Sequence, residues 1–161
     1  MYILDTNVFI QAKNFYYGFD IVPAFWDWLD KEFENGNILS IKPVYDELVA
    51  GKDELAEWAK DRKDSGWFIY VDDVDTQIKF AEISRWTVQS DFKEPAKKEF
   101  LKIADPLLVA KAFSIDATVV THESLYDPKI KKKIKIPNVC EEFKVAYMST
   151  FELMRKLGAR F

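Results

Sequence analysis

At 161 residues, with 48% hydrophobic and 16% aromatic side chains, the chain is apolar enough to bury the core of one domain, taken as residues 1–161, without disulfides. A formal net charge of -4 and a pI near 5.1 exclude a surface that grips polyanions everywhere, so any nucleic-acid contact is local. Cys140 is the lone cysteine, which rules out an intrachain disulfide framework and a cysteine zinc cage and fits a reducing cytoplasm. No run approaches the roughly 18 apolar residues of a membrane span, and Asp5 interrupts the opening apolar run too early for a secretory signal. A cytoplasmic protein without membrane contact is expected.

Tyr2-Ile3-Leu4 reads as a buried strand ending at Asp5-Thr6-Asn7. Asp20 to Gly36 reads as a helix, with Pro23 near its start and Phe25, Trp28, Leu29 and Phe33 at helical spacing. Ile38 to Ile41 follows as a strand, Val44 to Ala50 as a short helix ended by Gly51, and Asp53 to Lys63 as an amphipathic helix. Trp67 to Val71 has strand composition, and Val74 to Phe100 is loosely helical with an interruption at Pro95. Asp105 to Ser114 is apolar almost all round, as a helix packed deep against a sheet must be. Ala117 to Thr121 is the clearest buried strand, Lys144 to Met148 the last one, and Ser149-Thr150-Phe151-Glu152 a capping box opening a helix that Gly158 closes. Strands alternating with helices predict a mainly parallel sheet, with right-handed crossovers and helices on both faces.

Four acids stand out in this frame. Strand ends of a parallel sheet open onto the ligand crevice, so Asp5 after the first strand and Glu123 after Ala117 to Thr121 face a site. Asp105 opens the apolar helix, and Glu47 follows the Ile38 to Ile41 strand. Each also has a bland explanation. Asp105 before Pro106 has the form of an N-cap, Glu47 or its neighbour Asp46 suits a solvent-facing helix, and acids are common in loops such as that of Glu123. Gathered carboxylates repel and raise one another's pKa, a conflict that a hard divalent cation with oxygen ligands removes. Mg²⁺ or Mn²⁺ held this way activates water and neutralises charge on a reacting phosphodiester.

Other chemistries lack parts. His122 is the only histidine, which leaves a Ser-His-Asp triad, a two-histidine ribonuclease site or an HExxH zinc site hard or impossible to build. Neither a GxGxxG turn nor a GxxxxGK[ST] loop is present.

The series Asp5-Thr6-Asn7, Glu47, Asp105-x-x-x-x-Ala110 and Thr121-x-Glu123 resembles the PIN-domain nucleases, the fold of VapC-type toxins, across nearly the whole chain. Pro23-Ala24-Phe25-Trp26, Val119 to Glu123 and Ile136-Pro137-Asn138-Val139-Cys140 resemble a less characterised PIN subfamily. The resemblance implies a three-layer α/β/α sandwich, an acidic Mg²⁺ or Mn²⁺ site, single-stranded RNA as substrate and an inhibitory antitoxin as partner. It carries over Asp5, Glu47 and Asp105 as metal ligands, with Thr6, Asn7 and Thr121 orienting them. The departure is at Glu123, where the family most often has aspartate; the longer side chain reaches the metal through water or misses it.

The leading expectation is therefore a metal-dependent endoribonuclease in which Asp5, Glu47, Asp105 and Glu123 form the site and Lys129, Lys131, Lys132 and Lys133 steer the RNA backbone. Its alternative is a catalytically silent PIN-fold module that binds RNA or protein. A haloacid-dehalogenase-like phosphatase needs a second aspartate where Asn7 stands. Phe15, Tyr16, Tyr17, Phe19 and Trp26 supply aromatics for core packing, an antitoxin groove or a homodimer.

Overall fold

The computed structural model describes residues 1–161 except Leu125, Tyr126 and Pro128. Its centre is a five-stranded, all-parallel sheet in the order β3-β2-β1-β4-β5. The strands are β1 (Tyr2–Leu4), β2 (Ile38–Ile41), β3 (Phe68–Ile69), β4 (Thr118–Val120) and β5 (Tyr147–Met148). β1 lies in the middle, with Tyr2 in register with Ile38 on one side and Thr118 on the other. Burial on both faces explains why Ile3, Leu4, Val119 and Val120 form continuous apolar runs instead of alternating. The chain builds outward from β1 to β3, then returns to β4 on the opposite side. The resulting switch point lies between the carboxyl ends of β1 and β4.

Helices flank this sheet. The first half carries α1 (Thr6–Gln11), which continues into a π-helical turn over Ala12–Tyr16, then α2 (Pro23–Glu34), α3 (Lys42–Ala50) and α4 (Glu54–Lys60). The second carries α5 (Val74–Gln89), α6 (Glu94–Phe100), α7 (Asp105–Ser114), α8 (Ile136–Phe143) and α9 (Thr150–Lys156). α7 packs on β1 and β4 beneath and on α5 and α8 beside it, which is why its apolar residues run around the helix. Among the described residues, no helix is long and apolar enough to cross a membrane.

Several boundaries differ from the sequence expectation, each for a local reason. α2 begins at Pro23, because Ile21 and Val22 amides bond back to Gly18 in a preceding turn. It ends where Gly36 takes a φ of +74°, which lets the Gly36 and Asn37 amides reach Phe33 and Glu32. Pro95 does not break the Val74 to Phe100 stretch. It sits in the first turn of α6, where a missing N–H costs nothing, and the break falls at residues 90–93. The last strand shortens because Lys144, at φ +55°, terminates α8. α1 and α8 were not anticipated.

Ser149 caps α9: its hydroxyl accepts from the Glu152 amide at 3.2 Å, while the Glu152 carboxylate accepts from the Ser149 amide at 2.7 Å. Ser149→Ala is expected to lower stability by about 1 kcal/mol in urea denaturation.

The aromatic surplus divides between core and surface. Phe9 packs against Trp58, Trp67 and Phe68; Tyr17 stacks on Phe25 at 4.4 Å and Phe19 on Trp26 at 4.0 Å. Phe15 and Tyr16 remain exposed.

Candidate active site

Asp5 leaves β1 at the switch point and is almost fully enclosed, at 1% exposure. Its amide bonds to the Val120 carbonyl at 3.0 Å, continuing the ladder to β4, and its own carbonyl accepts from Val8, starting α1. The carboxylate is thus held at the junction of a strand and a helix. It accepts the Thr121 hydroxyl at 3.0 Å, and the same hydroxyl accepts the Glu123 amide at 3.1 Å. One threonine after β4 thereby ties two of the four acids together.

Glu47 reaches the same end of the sheet from α3. Thr6 donates its hydroxyl to one Glu47 oxygen at 2.5 Å, and the Ala104 amide donates to the other at 2.9 Å. Ala104 is also the N-cap of α7, so Glu47 links α1, α3 and the start of α7. Asp46, one residue earlier, is exposed and pairs with Lys42. Helical rotation of about 100° per residue separates the two.

Asp105 is buried in the first turn of α7. It is not the N-cap that its place before Pro106 predicts; Ala104 holds that position, and no side-chain cap bond forms. Among the described residues its carboxylate has neither a hydrogen bond nor an ion pair. Glu123 has an enclosed side chain whose Oε2 accepts the Ile136 amide at 2.6 Å, while Oε1 lies 3.3 Å from the Lys133 ammonium.

Electrostatics join these groups. Burial pushes the Asp5 carboxyl up to about 7, with Thr121 opposing and the charges of Glu123 and Glu47 adding. Burial pushes Asp105 up to about 8, reinforced by Asp5 first, then Glu123 and Glu47, and opposed by Lys133. Asp5 feels the charges of Glu123 and Glu47, and Asp105 feels all three others, as expected of acids at the same end of the sheet. They do not form a tight cage: among the described residues no three His, Cys, Asp or Glu side chains converge into a group poised to hold an ion.

The orienting residues divide their work unevenly. Thr6 serves Glu47 and Thr121 serves Asp5, whereas the Asn7 side chain has no hydrogen-bond partner among the described residues. His122 turns away from the acids; its Nε2 pairs with the Thr150 hydroxyl at 2.9 Å, and its ring stacks on Tyr16 at 5.8 Å. Burial lowers its pKa and favours neutral imidazole.

Of the four lysines, Lys133 faces Glu123, and Lys131 pairs with Asp91 at 3.0 Å while lying over the Phe92 ring. Lys129 and Lys132 are exposed. Sequence reasoning did not find the Ala104 and Ile136 amides. Backbone donors leave no mark in side-chain identity, although a helix start before Asp105 and Pro137 was the available hint.

A parallel five-stranded sheet with helices around it, and acids gathered at its switch point, defines a PIN-like α/β/α protein. The chain belongs to the family described as a domain of unknown function (DUF4411), whose model matches residues 2–161. Among solved structures it is similar to a chain of VapBC2 from Rickettsia felis, crystallised bound to a DNA fragment from their promoter. That match has a TM-score of 0.53 and 19% identity, and covers 92% of this chain and 97% of the other. No curated protein matches the sequence.

Proposed function

We propose that the protein is a metal-dependent endoribonuclease that hydrolyses RNA phosphodiester bonds and acts as the toxin of a type II toxin-antitoxin pair. The observation that carries this reading is a pair of enclosed carboxylates at this end of the sheet, Asp5 and Asp105, which the fold leaves without an ion pair among the described residues and of which Asp5 raises the pKa of Asp105. An all-oxygen donor set of this kind suits Mg²⁺ or Mn²⁺, which one or two carboxylates and several waters commonly hold. Asp5 and Asp105 would hold the ion directly. Glu47 and Glu123, whose oxygens already serve Thr6, Ala104 and Ile136, would act through ordered water.

When bound, the ion supplies Lewis acidity and a more acidic water. The chain's own residues do the positioning. Thr121 keeps the Asp5 carboxylate aimed and favours its charged form. Thr6 fixes Glu47, and the Ile136 amide fixes Glu123, so neither swings away when a substrate phosphate enters. His122 serves packing, with its ring held by Thr150 and Tyr16.

The likeness to a VapBC chain supports an antitoxin partner, for which the exposed Phe15 and Tyr16 offer apolar surface; a homodimer is the other use of the same side chains. A second reading, a silent module of the same fold, draws on the hydrogen bonds that already engage Glu47 and Glu123 and on the lack of a close carboxylate trio among the described residues.

Titration with Mn²⁺ separates the two. The nuclease should melt about 5–10 °C higher at a hundredfold excess over Kd and cleave single-stranded RNA in Mn²⁺ but not in EDTA. An unchanged melting temperature with no cleavage leaves the silent module. Thr121→Val is expected to weaken Mn²⁺ binding by about 10–100-fold in calorimetry, as loss of an outer-shell partner does, with Thr121→Ser restoring it.

A further inference from the structure

A cavity of about 310 Å³ lies between α6 and the segment that follows Ile130, lined by Pro95, Ala96, Glu99, Phe100, Ile103, Lys132, Lys133 and Ile134. We propose that it is a nucleotide subsite for single-stranded RNA, with Lys132 and Lys133 receiving a backbone phosphate and Pro95, Ile103 and Ile134 forming the apolar floor for the base. The proposal rests on the ribonuclease reading and assigns one flank of that site to substrate.

Three observations converge on this occupant. The cavity combines an apolar floor with a cationic rim, the pairing that accommodates a base face and its phosphate without reading sequence. On a chain of net charge -4, two adjacent lysines beside an acid cluster are a local exception to the overall repulsion of polyanions. Finally, one side chain links the cavity to the candidate active site. Lys133 lines it and also lies 3.3 Å from Glu123, with its own side chain 63% exposed. A phosphate at that ammonium therefore borders the acids.

The walls are held in place independently of any ligand. The Lys93 amide donates to the Lys131 carbonyl at 2.9 Å, fastening the lysine segment to the start of α6. Lys131 is committed to Asp91 and Phe92, outside this cavity, so the lysine run divides by geometry and not by charge. Glu99 supplies an acceptor for a base amino group or a ribose 2′-hydroxyl.

The test is fluorescence anisotropy with a labelled single-stranded 12-nucleotide RNA of mixed sequence, in EDTA to prevent cleavage, over a series of KCl concentrations. Lys132→Gln should weaken binding several-fold and reduce the slope of log K against log salt by about 0.7, the value for one lost phosphate contact on a single strand. Ile103→Ala should weaken binding about threefold with the slope unchanged. Lys98→Gln, an exposed α6 lysine outside the lining, should match wild type. Wild-type binding with Lys132→Gln and Lys98→Gln indistinguishable overturns the subsite and spares the nuclease reading. No binding by the wild type overturns the subsite, while Mn²⁺-dependent cleavage tests the nuclease reading separately.

Discussion

Asp5→Asn is expected to abolish Mn²⁺-dependent RNA cleavage, by more than about 100-fold, the loss that removing even an outer-shell partner can reach. It should do so without unfolding the protein. Asparagine has nearly the same shape, and its Oδ1 still accepts the Thr121 hydroxyl that Asp5 accepts at 3.0 Å. The more telling result concerns metal-free protein. At pH 8 the wild-type Asp5 is ionised in an enclosed site facing Glu123 and Glu47, so removing its charge should raise stability by on the order of 1–3 kcal/mol. At pH 5 Asp5 is protonated in the fold, and the gain should be smaller, vanishing only below the unfolded value near pH 4. Urea denaturation in EDTA at the two pH values reads both. A variant less stable than wild type at pH 8 would assign Asp5 a structural role.

Metal-free wild type should accordingly lose stability as pH rises from about 4 to about 8. The ordinary carboxyl value of 3.8 rises to about 7 for Asp5 and about 8 for Asp105 in the folded state. Between those limits the native state holds more protons than the unfolded chain, so stability is complete below the unfolded value and declines through the folded ones. Asp73 acts oppositely. The Lys111 ammonium at 2.7 Å and the Thr76 amide hold its carboxyl at about 2, so its contribution is present above 3.8 and is lost as pH falls towards 2. The two trends place the metal-free optimum near pH 4.

Mn²⁺ should flatten the alkaline side, because the ion replaces the protons. Its affinity should therefore increase from pH 6 to pH 8, and its binding should release protons. Calorimetry in buffers of different ionisation enthalpy measures that release. Equal affinity at pH 6 and pH 8 would remove Asp5 and Asp105 from the ion's ligands.

Much of this architecture was legible in the residues because it rests on burial patterns. Ile38–Ile41 was bounded correctly, as was the apolar stretch Asp105–Ser114. An apolar run long enough for one strand, stopped by an acid, marked the end of β1. α1 escaped because it starts immediately after that acid, and its inward apolar positions Val8 and Phe9 are too few to establish a period. α8 escaped because Ile136 and Pro137 follow a lysine run that reads as surface.

Periodicity and composition, which depend only on neighbours along the chain, determined the alternation of strands and helices and the placement of acids at strand and helix ends. Tertiary structure alone decided how the charges pair. Rotation of α3 turned Glu47 towards Thr6 and the Ala104 amide while leaving Asp46 to Lys42. Folding of the chain after β4 brought Lys133 to Glu123 but sent Lys131 to Asp91. Such choices depend on distances between residues far apart in sequence, and a one-residue step along a helix or loop reverses them.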